Sequence, residues 1–145
     1  MNEYEILREI GQGTTARVVE AKTEDARIVA LKIFSSRDEG IQWCGREEAS
    51  RMRALSHPNI LKIERFQESN PTMLVMEFIE GCSLQDRVLQ KGTLYSRDGL
   101  VLLQKLAEAM AHAHEKGIFH GDITPKNILL RKGDPTKPVI CDFGL

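Results

Sequence analysis

The residues of this sequence that are best suited to chemistry lie near its end. A His-Gly-Asp tripeptide at residues 120–122 is followed by Asn127 and then by Asp-Phe-Gly at residues 142–144. Phosphoryl transfer needs a carboxylate near the attacking hydroxyl, oxygen ligands for Mg²⁺, and cations that face the phosphates. Asp122, Asn127 and Asp142 are suitable residue types for the first two tasks. Each acid alone is more commonly a turn or cap residue, so their joint occurrence and order carry the argument.

Lys32 is the candidate cation. It lies in a β-branched segment at residues 28–34, and a lysine presents a compact charge to phosphates, although an exposed strand lysine is the ordinary alternative. The next segment has a helical pattern whose single stripe comprises Ile41, Cys44, Glu48, Met52 and Leu55. An unpaired carboxylate within an apolar stripe would be costly. We therefore predict that Glu48, and not Glu47, pairs with Lys32.

A glycine-rich stretch, Gly-Gln-Gly-Thr-Thr-Ala at residues 11–16, is a second candidate for phosphate binding. It also fits the turn of dinucleotide-binding proteins, but that turn must open a helix. Residues 17–22 instead carry the β-branched Val18 and Val19 and predict a strand. A glycine flap between two strands lets backbone N–H groups approach phosphates without side-chain obstruction. A plain hairpin turn is the alternative for this stretch alone.

Strands and helices must position these residues, and the sequence predicts both. Alternating or β-branched segments predict strands at residues 4–10, 17–22, 28–34, 60–67 and 73–78, and a helix is predicted at 41–55. Ser83 can cap a short helix that Gly92 ends, and a long helix starts at Ser96 or Asp98 and ends near residue 117. Short strands then flank a loop at 132–138. This order predicts an α+β fold with two lobes that meet near residues 77–83.

Composition narrows the class of protein. The chain has 145 residues and a formal net charge of −1, so we expect no nucleic acid or anionic membrane as a partner. No apolar stretch could span a bilayer, and no secretory signal is visible. The three scattered cysteines, Cys44, Cys82 and Cys141, suggest reduced thiols, and we expect a cytoplasmic protein.

Taken together, these motifs resemble those of protein kinases, of the serine/threonine type and similar to bacterial ones, from the glycine loop through Asp-Phe-Gly. The resemblance runs from Tyr4 to Leu145 and includes His-Pro-Asn-Ile at residues 57–60. It implies a bilobal fold with an antiparallel five-stranded sheet and one helix in residues 1–76, a hinge at 77–83, and a truncated helical lobe at 84–145. It also implies an enzyme that uses ATP and Mg²⁺ to phosphorylate a serine or threonine of a protein substrate.

The resemblance assigns roles residue by residue. Asp122 would be the catalytic base, Lys32 would contact the phosphates while paired with Glu48, and Asn127 and Asp142 would bind Mg²⁺. Met52, Ile63, His120 and Phe143 would stack as an internal spine, which makes His120 structural. The residues implied in nucleotide binding are Ile10, Gly11, Gly13, Ala16, Val18, Ala30, Lys32, Met76, Glu77, Ile79, Leu129 and Asp142.

Four features depart from the family pattern. Ala16 replaces the third glycine of the loop. Gly121 replaces the arginine that normally pairs with a phosphorylated activation loop, which argues against that mode of control. Thr124 stands where serine/threonine kinases usually carry lysine, with Lys126 two positions away. The chain ends at Leu145, so we expect a fragment that lacks the platform for a peptide substrate and has little activity alone.

Two other functions stay open at this point. Small-molecule phosphotransferases of the aminoglycoside or choline kinase type also carry His-Gly-Asp followed by an asparagine. A non-catalytic nucleotide-binding or scaffold module is the second alternative. In a truncated lobe the long helix would leave apolar surface uncovered, and a partner could cover that face. The apolar residues at helical spacing on this helix are Leu100, Leu103, Leu106, Ala107 and Met110.

Overall fold

The computed structural model describes residues 3–35, 39–68 and 71–143. Gly144 and Leu145, the end of the predicted Asp-Phe-Gly motif and the last residue, lie outside the described residues. The chain divides into two compact units. The first comprises Met1–Arg53 and Lys62–Phe78, and the second comprises Ala54–Leu61 and Ile79–Leu145.

The first unit contains the predicted antiparallel five-stranded sheet, in the order β1-β2-β3-β5-β4. Successive side chains of a strand point to opposite faces, so Val29, Leu31 and Ile33 share one face of β3, where they are buried. They pack with residues of β2 and β5 to form the core of this unit. The strands are β1 Tyr4–Gln12, β2 Ala16–Thr23, β3 Ile28–Phe34, β4 Ile63–Gln67 and β5 Met73–Glu77.

Helix α1, Glu39–Arg53, also belongs to the first unit. The predicted stripe is wrong at one position, because Cys44 is exposed and Gly45 is buried instead. The physical reason is the ring of Phe34, which lies so close that a Cβ on residue 45 would be 2.7 Å from its Cζ. Glu48 and Met52 do face inward, with 6% and 1% of their surface exposed.

The predicted strand at residues 60–67 was too long, since β4 begins at Ile63. Ile60 forms an isolated parallel bridge with Ile140 in the second unit. The amide of Leu61 donates to the Ile140 carbonyl at 2.8 Å. Ile60 and Leu61 therefore pair with a distant strand instead of extending β4.

The second unit combines a small sheet with two helices. The sheet order is β6-β7-β8, and Leu84, Leu102, Ile128 and Leu130 form a buried cluster beside it. Strand β6 was not predicted, because three residues are too few to show a period of two. The elements are β6 Gly81–Ser83, α2 Leu84–Lys91, α3 Ser96–Glu115, a 3₁₀ turn Pro125–Asn127, β7 Ile128–Arg131 and β8 Pro138–Ile140.

The ends of α2 follow the predicted signals. Ser83 Oγ accepts the Asp86 N–H at 3.0 Å, which satisfies one free donor of the first turn. At the other end, Gly92 has φ 75 and its N–H donates to the Val88 carbonyl. The long helix starts at Ser96, one of the two predicted starts. Within the described part of the chain, no helix is long and apolar enough to cross a membrane.

Candidate active site

Lys32 and Glu48 form a two-pronged ion pair in the first unit. Lys32 Nζ donates to Glu48 Oε1 at 2.8 Å and to Oε2 at 2.9 Å. Strand β3 and helix α1 bring the two side chains together, and both are largely removed from solvent, with 17% and 7% of their side-chain surface exposed. Removal of one partner from a buried pair leaves an uncompensated charge, which costs about 3–5 kcal/mol. The position of Lys32 is therefore fixed by Glu48.

The glycine stretch connects β1 to β2 as a hairpin. The Gly13 N–H donates to the Ala16 carbonyl at 2.8 Å, and Gly11 lies opposite Val18 across the ladder. Because β2 follows directly, the dinucleotide-binding turn, which must open a helix, is excluded. Ile10 is exposed, whereas Ala16 is buried. The loop is followed by β2, which pairs with β3 and places Val18 opposite Lys32.

The end of β5 carries two residues assigned to nucleotide binding, and a third follows the strand. Met76 is buried and lies opposite Ala30 of β3. The Glu77 carboxylate accepts the Lys62 N–H at 2.9 Å, and its own N–H donates to the Lys62 carbonyl at 3.0 Å. The side chain of Glu77 therefore bonds Lys62, the residue before β4. Nucleotide binding was assigned to the main chain of Glu77 and not to this carboxylate. Ile79 follows in the second unit and is buried.

His120 joins two segments of the second unit. Its Nδ1 accepts the Asp122 N–H at 3.1 Å, so the proton is on Nε2, which lies 2.8 Å from the Cys141 carbonyl. The ring is fully buried, and its centroid is 4.6 Å from that of Phe143. This confirms the predicted contact between His120 and Phe143. An imidazole used on both nitrogens in this way is a structural bridge rather than an acid–base group.

Asn127 holds Asp122 in place. Its Nδ2 donates to the Asp122 main-chain oxygen at 2.9 Å and to Oδ2 at 3.1 Å. The main-chain oxygen of Asn127 accepts the Cys141 N–H at 3.0 Å. Asp122 itself is exposed, so its carboxylate is oriented yet accessible. Gly121, which directly precedes Asp122, has φ 80, a conformation that costs a residue with a side chain about 1–2 kcal/mol.

Asp142 adopts a left-handed conformation, with φ 58. It is exposed, while its neighbours Cys141 and Phe143 are buried, so the strained backbone directs an acidic residue outward. Asp142 and the amide oxygen of Asn127 are hard oxygen donors of the kind that Mg²⁺ prefers. Among the described residues, no group of three or more His, Cys, Asp or Glu side chains could hold a metal ion. Mg²⁺ is usually bound through one or two carboxylates together with substrate phosphates, and this donor set fits that pattern.

Residues 4–145 match the family model described as Protein kinase domain. The chain belongs to the protein kinase family. This kinase chain is 35% identical to CBL-interacting serine/threonine-protein kinase 24 of Arabidopsis thaliana, over 100% of its length and 33% of that protein. It is 36% identical to calcium/calmodulin-dependent protein kinase type IV of Homo sapiens, over 98% of its length and 30% of that protein.

A bacterial protein is similar to the kinase chain as well. Serine/threonine-protein kinase PrkC of Bacillus subtilis (strain 168) is 37% identical over 98% of the chain and 22% of that protein. The crystal structure of Rad53 1–466 in complex with AMP-PNP has a TM-score of 0.86 at 31% identity, and covers 98% of this chain and 38% of that chain. The chain thus spans about a third or less of the length of the three relatives. The predicted family and fold are confirmed.

Sequence reasoning missed the contacts of Asn59. Its Nδ2 donates to the Pro138 carbonyl at 2.7 Å, and its main-chain oxygen accepts the Ile140 N–H at 2.8 Å. Both contacts hold β8, the strand that leads to Asp142. The partners are about 80 positions apart in sequence, so no local pattern could reveal them. The sequence signal was His-Pro-Asn-Ile at residues 57–60, which entered only as part of the resemblance and gave no partner for Asn59.

Proposed function

We propose that the whole protein is an ATP-dependent protein kinase that transfers the γ-phosphate to a serine or threonine hydroxyl. Two of the similar proteins are named as serine/threonine-protein kinases. Rad53 was crystallised with AMP-PNP, an analogue of ATP. These names support both the phosphate donor and the class of acceptor. They also favour a protein acceptor over a small alcohol.

The ion pair of Lys32 with Glu48 is the observation that carries the proposal. A lysine that is largely removed from water is costly unless it has a function or a partner, and here Glu48 holds its ammonium group with two hydrogen bonds. We assign Lys32 to the phosphates of the nucleotide and Glu48 to the positioning of Lys32. A cation fixed in advance stabilises developing negative charge without reorganisation in the transition state.

Asp122 is the proposed base. A carboxylate accepts the proton of the attacking hydroxyl, which contributes about 10²–10⁴-fold to the rate when the group is positioned. Asn127 supplies that positioning through its two hydrogen bonds to Asp122. The same Asn127 and Asp142 are the proposed ligands of Mg²⁺. When bound, Mg²⁺ would neutralise phosphate charge that Lys32 alone cannot balance.

The remaining assignments stay predictions of nucleotide contacts. In the first unit they are Ile10, Gly11, Gly13, Ala16, Val18, Ala30, Met76 and Glu77, and in the second unit Ile79 and Leu129. The exposed Ile10 and the open hairpin beside it suit a flap over a ligand. Residues that face adenine should be apolar, and Val18, Ala30 and Leu129 are.

Substitution of Lys32 tests the proposal. Lys32→Ala in the whole protein should lower the rate of phosphotransfer from ATP by at least about 10²-fold, because the fixed cation is lost. The exposed strand residue Lys22 gives the matched control, and Lys22→Ala should leave the rate unchanged. The rate is measured with labelled ATP, offered with a protein acceptor in one arm and a small alcohol in another.

A second variant separates chemistry from stability. Lys32→Ala leaves Glu48 unpaired, which destabilises the fold, whereas Lys32→Ala with Glu48→Gln removes the unpaired charge. The double variant should recover stability in denaturation but not phosphotransfer. Recovery of the rate together with stability would contradict the assigned role of Lys32. Transfer only to the small alcohol would favour the small-molecule phosphotransferases.

A further inference from the structure

The segment Ala54–Leu61 lies between α1 and β4 in sequence but packs within the second unit. On one side it pairs with β8. The main-chain oxygen of Asn59 accepts the Ile140 N–H, Leu61 N–H donates to the Ile140 carbonyl, and Asn59 Nδ2 donates to the Pro138 carbonyl, at 2.8, 2.8 and 2.7 Å. These contacts involve no titratable group, so they are insensitive to pH near neutrality.

On its other side the segment meets α3 through two histidines. Within the segment the Asn59 N–H donates to His57 Nδ1 at 3.1 Å. The bond to α3 is that of the Ser56 N–H to Nε2 of His112, at 3.3 Å. The two rings face each other with centroids 5.5 Å apart. A ring nitrogen that accepts a backbone N–H carries no proton. Both imidazoles therefore serve the segment in their neutral form.

The surroundings of His57 oppose its protonation. Partial burial lowers the pKa of His57 below its ordinary value, and the neighbouring His112 lowers it further, since two imidazolium cations would repel. The carboxylate of Glu108 on α3 acts in the opposite direction and raises the pKa, but the net direction is downward. Strand β8 contributes only Pro138, Val139 and Ile140 to this side, and none of them titrates.

We propose that His57 and His112 form an acid-sensitive tether, which holds the segment Ala54–Leu61 on α3 while both rings are neutral and releases it when either ring is protonated. A proton on Nδ1 of His57 or on Nε2 of His112 turns an acceptor into a donor that faces a backbone N–H. The hydrogen bond of that ring is then lost, and when both rings are protonated two positive charges also repel across the pair. The tether is a property of the fold and does not depend on the proposed function.

The direction of the pH dependence follows from the depressed pKa of His57. Between the folded-state pKa and the ordinary value of about 6.5, the unfolded chain binds more protons than the folded chain. Stability from the tether is therefore complete above about pH 6.5 and is lost as the pH falls through the folded-state pKa. Each histidine that takes up a proton on unfolding changes the unfolding constant by up to about tenfold per pH unit.

Two conservative substitutions keep a hydrogen-bond acceptor at each position and remove the imidazole that takes up a proton. In His57→Asn the side-chain oxygen can replace Nδ1, and in His112→Gln it can replace Nε2. Denaturant unfolding of the full chain is measured at about pH 7.5 and about pH 5.5, on either side of the histidine range. The wild-type unfolding constant should rise several-fold more on acidification than that of the double variant. His120, also an acceptor of a backbone N–H, is present in both and cancels in the comparison.

The control is His114→Gln. His114 is exposed on the same helix, with its ring 5.0 Å from that of Phe119, and this variant should retain the wild-type pH dependence. Equal pH dependence of the wild type and the double variant would overturn the proposal.

An NMR titration measures the pKa of His57 directly, in the wild-type chain and in His112→Gln. It should place the pKa of His57 below its ordinary value, and His112→Gln should raise it. A His57 pKa at or above the ordinary value, or one indifferent to His112→Gln, would also overturn the tether.

Discussion

Asn127 restricts the Asp122 side chain, because its one amide group bonds both the carboxylate and the main chain of that residue. The Oδ1 of Asn127 remains the only atom of this amide group that can accept a hydrogen bond or bind a cation. The same side chain can therefore orient the proposed base and offer a ligand to Mg²⁺. This double use explains why an asparagine suits the position better than an aspartate, whose second charge would repel Asp122.

Gly121 has a consequence for regulation. An arginine beside the base could pair with a phosphorylated loop, but Gly121 offers no cation for such a pair. We expect that phosphatase treatment of the whole protein leaves the rate of phosphotransfer unchanged, with loss of phosphate verified by mass spectrometry. A large fall in rate after complete dephosphorylation would count against this prediction. The left-handed backbone at this position, φ 80, is also one that glycine adopts without strain.

Helix α1 can approach β3 closely because residue 45 has no side chain. The ring of Phe34 occupies the space that a Cβ would need, at 2.7 Å from Cζ. Glu48 lies one turn further along the same face and bonds Lys32. The distance of the helix from the strand therefore sets the geometry of the ion pair. A glycine in a helix interior, unfavourable by propensity, has a structural reason here.

Gly45→Ala tests this account of the helix. The added methyl group must displace the buried ring of Phe34 or the helix itself, and overpacking of this kind costs about 1–3 kcal/mol. Gly99→Ala on α3 is the matched control, because nothing lies within 4 Å of the Cβ it would add. That control should gain about 0.5–1 kcal/mol from helix propensity. Both free energies of unfolding are measured in denaturant. If Gly45→Ala and Gly99→Ala had the same free energy of unfolding, residue 45 and the ring of Phe34 would not be tightly packed.

Local sequence patterns predicted those elements that local interactions determine. The β-branched alternation of β2 and β3 and the Ser83 cap of α2 each depend on neighbouring residues, and the structure has them. The choice of Glu48 over Glu47 succeeded for the same reason, since one face of a helix is a local property. Its functional role, like those of the other site residues, stays a prediction.

Patterns failed where distant residues decide. On α1, Gly45 is buried instead of Cys44 because the ring of Phe34 lies against residue 45. Residues 60–62 do not extend β4, because Ile60 pairs with Ile140. Strand β6 exists because Gly81–Ser83 pairs with β7. None of these partners is near in sequence, so composition and periodicity carry no information about them. The predicted lobe and hinge boundaries also stay a prediction.

The surface of the second unit includes large apolar side chains. On α3, Leu100 and Leu103 are 69% and 63% exposed, on the stripe that the sequence marked at helical spacing. The buried face of the helix is instead formed by Leu102, Ala109 and Ala113. Contiguous exposed apolar surface is characteristic of sites where proteins associate. With a net charge of only −1, the chain has little electrostatic repulsion to oppose association.

We therefore expect the 145-residue chain to self-associate as its concentration rises. Leu100→Ser with Leu103→Ser should shift it toward the monomer in sedimentation, because each buried leucine contributes about 1.5–3 kcal/mol to an apolar contact. Ile28→Ser is the control, since Ile28 is a partly exposed apolar residue in the first unit, 40% exposed. Equal association of both variants would show that α3 is not the contact.

The most direct test of the proposed function is the identity of the phosphorylated residue and its dependence on Asp122. The whole protein is incubated with γ-labelled ATP, Mg²⁺ and a protein acceptor, and the label is assigned by phosphoamino-acid analysis. We predict phosphoserine or phosphothreonine, formed about 10²–10⁴-fold more slowly by Asp122→Asn. An undiminished rate in that variant, or no label on any seryl or threonyl hydroxyl, would contradict the proposed function.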